Sequence, residues 1–178
     1  MCIRDSVTYG AVIIDPEDGM VESFGARMTE PMRRMLSENG TKKQIIGQAE
    51  LLPMVVSRIL WSGKLAGRDV IHYVDNEAAR MSAIKGSSPS RSSAWLVQAF
   101  WETEVTNETK SWISRVPTEC NIGDGPSRED WSEVEEVYPN HKKILDGNPG
   151  VGIDGKMEKD SEPQVASCVV FYQKELGK

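Results

Sequence analysis

Three carboxylates stand in different local settings along this chain, and together they could hold divalent metal ions. Glu50 lies in the first turn of a helix-like apolar pattern, Asp75 ends a strand-like run, and Asp124 follows a second strand-like run. Carboxylates that a fold brings together repel one another and lose hydration, so such a cluster requires a compensating cation. Oxygen-only ligands suit Mg²⁺ or Mn²⁺, and paired ions of this kind cleave phosphodiesters. The residue types therefore predict a metal site for phosphodiester chemistry.

Each carboxylate also has a simpler explanation when it is taken alone. Glu50 in a first helical turn complements the helix dipole. Asp75 with Asn76 fits an ordinary turn, and Asp124 fits the start of a short helix after Asn121. The prediction of a shared site therefore depends on the joint occurrence of the three residues.

Hydrophobic periodicity predicts the elements that would position these residues. The apolar residues of 48–62 repeat with helical period. Residues 69–74 form an apolar run typical of a strand covered on both faces. The other predicted elements are strands over 9–14, 21–28 and 111–116, helices over 31–38 and 77–84, and a helix that begins at Ser88-Pro89 and carries Trp95 and Phe100. This order predicts a mixed α/β fold in which helices flank a central sheet.

The C-terminal part differs in composition. Residues 129–178 hold 6 Lys/Arg and 11 Asp/Glu, a net charge of 6 − 11 = −5, against −6 for the whole chain. Residues 131–145 are predicted to contain a helix, and 146–164 are rich in Gly, Pro and charge, which is typical of a flexible segment. Residues 165–172 have strand composition but no evident partner. We therefore predict a domain over 7–130 and an acidic, partly flexible extension over 131–178.

Three segments in order resemble the ribonuclease H domain of retroelement reverse transcriptases. They are Gln48-Ala49-Glu50-Leu51-Leu52, Tyr73-Val74-Asp75-Asn76, and Arg115-Val116-Pro117 followed by Asn121-Ile122-Gly123-Asp124-Gly125-Pro126-Ser127-Arg128. The intervals between the carboxylates are 75 − 50 = 25 and 124 − 75 = 49 residues. The resemblance covers about Tyr9 to Arg128. Gly123 and Pro126 depart from the motif of that family.

The resemblance implies a ribonuclease H-like mixed sheet of five strands and a site with two Mg²⁺ or Mn²⁺ ions. Its substrate would be an RNA–DNA hybrid, of which the RNA strand is hydrolysed, and a reverse transcriptase domain would lie upstream in a retrotransposon polyprotein. Glu50 would bind one metal and sense the ribose 2′-hydroxyl, the group that distinguishes RNA from DNA. Asp75 would bind the same metal, and Asp124 would bind the other.

The resemblance also implies a fourth carboxylate on a first strand that would precede Tyr9. Residues 1–6 resemble instead the translation of a sequencing-library adapter, which carries no information about the fold. Asp5 lies near the required position, but a slip of one residue would turn its side chain to the opposite face of the sheet. We therefore expect that the first strand is missing and that this chain has little or no nuclease activity.

Composition limits the class of protein and the cellular compartment to which this chain can belong. At 178 residues, with 39% hydrophobic and 27% charged residues, the chain suits one globular domain, and it has no apolar run of membrane-spanning length and no signal peptide. Its three cysteines lack metal-ligand spacing and favour a reducing compartment, in the cytoplasm or the nucleus. No basic stripe marks nucleic-acid binding. Candidate phosphate contacts are Arg33, Arg34, Lys42, Lys43, Arg80, Lys85, Arg91 and Arg128.

Two alternatives share the predicted fold. The chain could be a non-catalytic ribonuclease H-fold module that packs against other domains or binds hybrids. It could also be a nuclease or integrase of related fold that acts on DNA.

Overall fold

The computed structural model describes residues 7–38, 45–146 and 165–173, with the backbone alone for 145–146 and 165–173. The strands are β1 (Thr8–Ile14), β2 (Val21–Arg27), β3 (Asp69–Val74), β4 (Lys110–Arg115), β5 (Lys142–Asp146) and β6 (Val165–Gln173). The helices are α1 (Glu30–Leu36), α2 (Ile46–Leu60), α3 (Ser62–Leu65), α4 (Glu77–Lys85), α5 (Arg91–Thr106), α6 (Asp124–Ser127) and α7 (Ser132–Val137), and Thr118–Cys120 forms a 3₁₀ turn. No helix among these residues is both long enough and apolar enough to cross a membrane.

The strands form one mixed sheet of six strands in the order β4-β3-β6-β1-β2-β5. β1 and β2 pair antiparallel, β3 and β4 pair parallel, and β6 lies between the two groups. Helices pack against this sheet, so the predicted mixed α/β class with flanking helices is confirmed.

The β1–β2 hairpin forms because its connection carries strong turn residues. The Asp15 carbonyl accepts a hydrogen bond from Gly19 N at 3.0 Å, and its carboxylate accepts one from Glu17 N at 2.9 Å. Gly19 has φ 72°, a left-handed conformation that glycine adopts without steric cost. The turn sets the register in which Ile14 faces Val21.

The apolar stripe of α2 builds the main core. α2 contacts β1, β6, α4 and α5, so it spans the middle of the sheet. Its buried residues include Leu51, Leu52, Val55 and Val56, which are all 3% exposed or less. α2 begins at Ile46 rather than near Gln48. Pro53 lies inside this helix, and because proline has no backbone N–H, the helix lacks one hydrogen bond there.

A buried ion pair joins the two longest helices. Arg58 of α2 is fully buried, and its guanidinium is paired with the carboxylate of Glu104 of α5. Glu104 also accepts hydrogen bonds from Ser111 N and Ser111 Oγ, both at 2.6 Å. Burial lowers the pKa of Arg58, and the Glu104 carboxylate opposes that effect. The pair thus links α2, α5 and β4 through charge-assisted hydrogen bonds.

Replacing Arg58 with alanine is expected to lower the free energy of unfolding by about 3–5 kcal/mol, because it leaves the Glu104 carboxylate buried without its cation. Urea denaturation at pH 7 would measure the loss. The matched control is Arg80→Ala, which removes a solvent-exposed pair with Glu77 on α4 and should leave stability nearly unchanged. A loss below about 1 kcal/mol for Arg58→Ala would mean that water reaches Glu104.

Several predicted boundaries need correction. The helix expected to begin at Ser88-Pro89 begins at Arg91, with Ser90 as its N-cap, because the Ser90 side chain accepts from Ser93 N. The helix expected within 131–145 ends at Val137, and Lys142–Asp146 forms a strand instead. Pairing with β2 accounts for that strand, and sequence periodicity does not report such a long-range contact.

The C-terminal strand has two partners. The sequence indicates a strand over 165–172 without a partner, whereas β6 pairs parallel with β1 and antiparallel with β3. β5 and β6 both belong to the common sheet, so the predicted boundary after residue 130 does not divide it. Most of the segment predicted to be flexible, residues 147–164, lies outside the described residues.

Candidate metal site

The end of β3 and the beginning of β1 lie at the same edge of the sheet, where the strands terminate. β6 runs antiparallel to β3 and parallel to β1, so β1 runs opposite to β3 and begins where β3 ends. Asp75 follows directly after β3 and therefore lies at this edge. We call it the carboxylate edge.

A polar network brings the first turn of α2 to the carboxylate edge. β4 follows α5 and runs parallel to β3, so α5 begins at the edge where β3 ends. The side chain of Gln48 in α2 donates from Nε2 to Ser90 Oγ and Ser92 Oγ, both at 3.1 Å. The same serines bind the Glu38 carboxylate, which also accepts from Ser92 N at 3.1 Å. Because Gln48 is anchored at the start of α5, Glu50 lies at the carboxylate edge.

Two facing glycines seat the short helix α6 on the sheet. Gly10 of β1 pairs with Gly25 of β2. A Cβ atom on Gly10 would lie 2.6 Å from Ser127 N, and a Cβ atom on Gly25 would lie 2.0 Å from Pro126 O. Only hydrogen in place of a side chain allows this close approach of two backbones. The seat places Asp124, the first residue of α6, above the beginning of β1.

The carboxylates of Asp75 and Asp124 lie close enough to Glu50 to affect its ionisation. Burial and, to a smaller extent, the negative charges of Asp75 and Asp124 together raise the pKa of Glu50 from 4.5 to about 8. Glu50 Oε2 and Asp75 Oδ1 are buried and find no hydrogen-bond partner among the described residues. Such oxygen atoms carry a desolvation penalty that a bound cation would remove.

Asp124 has a cationic partner on its own helical turn. Arg128 donates from Nη2 to Asp124 Oδ2 at 3.0 Å and from Nε to Asp124 Oδ1 at 3.2 Å. This forked arrangement is the usual geometry between a guanidinium and a carboxylate. The sequence left open whether Arg128 pairs with a carboxylate or with phosphate, and in this structure it pairs with the carboxylate.

In its chemistry, the donor set of Glu50, Asp75 and Asp124 fits Mg²⁺ or Mn²⁺. The three carboxylates supply oxygen atoms only, and two of these atoms are buried without a partner. Across the described ranges, no three His, Cys, Asp or Glu side chains lie close enough together to hold a metal as they stand. Asp75 and Asp124 still affect the pKa of Glu50, because electrostatic effects extend over distances longer than a metal–oxygen bond. Inward movement of the Asp124 side chain away from Arg128 would be part of binding.

The structure thus brings together Glu50, Asp75 and Asp124. Asp5 lies outside the described residues, and so do Lys42 and Lys43. Three of the candidate phosphate contacts are engaged within their own helices, since Arg33 and Arg34 pair with Glu30 and Arg80 pairs with Glu77.

His72 is a core residue, as its place in an apolar strand indicates. Its ring is fully buried and lies edge-on to Phe100, with 5.1 Å between ring centroids. Burial, with a smaller effect from Arg58, lowers the pKa of His72 to about 3. A neutral ring in the main core takes no part in the chemistry at the carboxylate edge.

Sequence reasoning missed two features that position the site. The first is the glycine seat under α6, for which an isolated glycine inside each of two strand patterns is the available signal. The second is the Gln48 network, for which a serine cluster before a helix is only a weak signal. Both depend on which segments meet in space.

Comparisons of this chain with protein-family models, with curated proteins and with solved structures find no match. Its candidate function therefore rests on the residues gathered at the carboxylate edge and on the resemblance of their motifs.

Proposed function

We propose that this chain is a ribonuclease H-like, metal-dependent endonuclease domain of a retroelement reverse transcriptase. It would hydrolyse the RNA strand of RNA–DNA hybrids. The single observation that supports this proposal is the meeting of Glu50, Asp75 and Asp124 at one edge of a mixed sheet, with two buried oxygen atoms unpartnered. Three separate segments of the chain supply these residues. If each residue served only its own turn or helix end, there would be no reason for the three to meet.

The side chains would hold the ions as follows. Glu50 and Asp75 would offer their unpartnered oxygen atoms, and Asp124 would exchange Arg128 for a cation. Bound divalent ions would supply charge stabilisation to the attacking and leaving oxygen atoms of a phosphodiester. Without ions, the Glu50 carboxyl remains largely protonated at neutral pH because its pKa is about 8. Arg128, once released, would be free to donate to a phosphate of the substrate.

A non-catalytic ribonuclease H-fold module is the second candidate. The observation that favours it is the pairing of both Asp124 oxygen atoms with Arg128, which neutralises one carboxylate without a metal. The two candidates differ in whether a divalent ion replaces this pair.

Titration of Mn²⁺ into the full chain at pH 7 is expected to show binding with release of about one proton per chain, because a cation on the Glu50 carboxylate displaces its proton. Calorimetry in two buffers of different ionisation enthalpy measures that proton. Glu50→Gln should abolish the release, and Asp75→Asn should weaken binding at least tenfold. The matched control is Glu136→Gln on the exposed surface of α7, which should bind as the parent does. If binding persists unchanged in both site variants, the site is not at the carboxylate edge.

Cleavage of four substrates under Mg²⁺ and Mn²⁺ tests the reaction itself. The substrates are an RNA–DNA hybrid, duplex DNA, single-stranded RNA and single-stranded DNA. Hybrid-specific cleavage, lost in Asp75→Asn, supports the proposal even if it is slow. Cleavage of duplex DNA would favour the DNA-acting alternative. Absence of both Mn²⁺ binding and cleavage would favour the non-catalytic module.

A further inference from the structure

The strand at the centre of the sheet comes from the C-terminal part of the chain. β6 pairs with β1 over seven register positions, from Thr8↔Val165 to Ile14↔Phe171. On its other side it pairs with β3 over five positions, from Asp69↔Gln173 to Tyr73↔Val169. Each of these neighbours also has a second partner, β2 for β1 and β4 for β3. β6 therefore closes a sheet whose two halves are already paired within themselves.

The space that β6 fills is one strand wide. Neighbouring strands lie about 4.8 Å apart, so β1 and β3 are separated by roughly 9.6 Å, too far to bond each other directly. Without β6 the facing sides of both strands would present unpaired N–H and C=O groups, which are a template for another strand. We call this space the central slot.

The helical layer bridges the two halves independently of β6. α2 contacts β1 on one side of the slot and α4 and α5 on the other, where α4 packs on β3 and β4 and Phe100 of α5 lies against His72 of β3. The Arg58–Glu104 pair further ties α2 to the β4 side. The walls of the central slot are therefore supported by contacts that do not involve the strand in it.

The connection to β6 is far longer than its path requires. β5 and β6 are separated by two intervening strands, and β5 ends at the edge where β6 begins. Three strand spacings amount to about 14 Å, whereas 18 connecting residues (164 − 147 + 1) can extend over roughly 60 Å. A connection of this length lets β6 leave the slot of its own chain and reach that of a neighbour.

The composition of β6 suits a strand that pairs wherever a slot is open. Residues 165–173 include three valines, a phenylalanine and a tyrosine, with no charged residue, no glycine and no proline. Such uncharged segments of high strand propensity pair readily with exposed strand edges.

We propose that β6 is an exchangeable strand, and that the central slot accepts residues 165–173 of a second copy of this chain as well as those of its own. The result is a strand-swapped dimer in equilibrium with the closed monomer. Exchange of an identical element between copies is a low-cost route to dimers, because the bonds made in the two states are the same.

The strand in the central slot also supports the helix that carries Asp124 of the candidate metal site. The link to metal binding rests on the proposed function. Ser167 pairs with Gly10, the residue above which Ser127 of α6 lies. α6 contacts β6 as well as β1 and β2. An empty slot would therefore remove part of the support under Asp124, so the filled slot is the metal-binding state.

A disulfide placed across the slot reports which chain fills it. Ala11 pairs with Cys168 in the parallel register, and adjacent strand positions are within disulfide reach. The full chain carries Ala11→Cys together with Cys2→Ser and Cys120→Ser, which leaves only positions 11 and 168 with thiols. It is refolded at rising protein concentration, oxidised, and analysed on non-reducing gels with mass mapping of the linked peptides.

The expected result is a 11–168 link within one chain at low concentration and between two chains at high concentration. A matched control is Ile13→Cys in the same background, which pairs with Val170 rather than with Cys168 and should link much less. A link found only within single chains at every concentration would overturn the proposal, as would equal linking in both variants. Neither readout depends on metal or on cleavage, so failure here is distinct from failure of the proposed function.

A second measurement covers the case in which Ala11→Cys does not fold. A protease recognition sequence replaces residues 151–157, and the chain is cut there after folding. A labelled peptide of residues 162–178 should then displace the native strand to about one peptide per chain, whereas a peptide of scrambled order should not. A cut protein that keeps its own strand for days without uptake would also overturn the proposal.

Discussion

Replacing Glu50 with glutamine is expected to stabilise the metal-free protein at pH 8 and to flatten its stability against pH. The pKa of Glu50 is raised from 4.5 to about 8, so between these values the folded chain binds more protons than the unfolded chain. Linkage then requires the free energy of unfolding to fall as pH rises through this window. The stabilising protonated form is lost above about pH 8. Glutamine keeps the shape of the protonated acid and has no charge to lose.

The size of this effect follows from the pKa. Each pKa unit corresponds to about 1.36 kcal/mol, so full ionisation of Glu50 costs at most roughly 5 kcal/mol. Urea denaturation of the parent and of Glu50→Gln at pH 5 and pH 8, both with chelator, measures the difference. Glu119→Gln in the exposed 3₁₀ turn is the control and should leave the two curves parallel. If Glu50→Gln destabilises the protein equally at both pH values, the pKa of Glu50 is not raised in the folded chain.

Adding one methyl group to Gly25 is expected to unseat α6. A Cβ atom there would lie 2.0 Å from Pro126 O, and the obstructing atom belongs to the backbone, so no side-chain rotation relieves the clash. Gly25→Ala should lower the free energy of unfolding by more than about 3 kcal/mol, at the upper end of overpacking. It should also carry Asp124 away from Glu50, and the pKa of Glu50 should fall because one of the charges that raise it is removed.

The control for this change is another glycine on the same chain. Gly47 lies in α2, and a Cβ atom added to it meets no atom within 4 Å. Gly47→Ala should raise stability by up to about 1 kcal/mol, because alanine is the better helix former. Denaturation curves and a pH titration of Glu50 by isotope-edited NMR measure both expectations. A Gly25→Ala protein with parental stability and a pKa of Glu50 still near 8 would contradict the seat described above.

Helices and strands were predicted correctly where the sequence pattern that defines them lies within one segment of the chain. The β1–β2 hairpin follows from its turn residues, α2 from the helical repeat of its apolar residues, and β3 from a run that His72 alone interrupts between Val70 and Val74. The meeting of Glu50, Asp75 and Asp124 was predicted only because three motifs in order resemble a family. No periodicity of the chain itself contains that information.

Features that depend on contacts between distant segments were not predicted. The pairing of Arg58 with Glu104 and the facing of Gly10 and Gly25 depend on register, which is set by tertiary structure. The central place of β6 is the clearest case, since its sequence indicates a strand but does not indicate between which neighbours it lies. The structure supplies the partners, which make residues 142–146 and 165–173 part of the sheet.

The order of strands also bears on how the chain folds during synthesis. The hairpin of β1 and β2 leaves the ribosome early, but the strand between β1 and β3 is translated more than 90 residues after β3 begins (165 − 69 = 96). At about 5–20 residues per second, the nascent chain spends several seconds with two open strand edges facing each other. That interval is when a chaperone, or a neighbouring nascent chain on the same messenger, has access to the unfinished sheet.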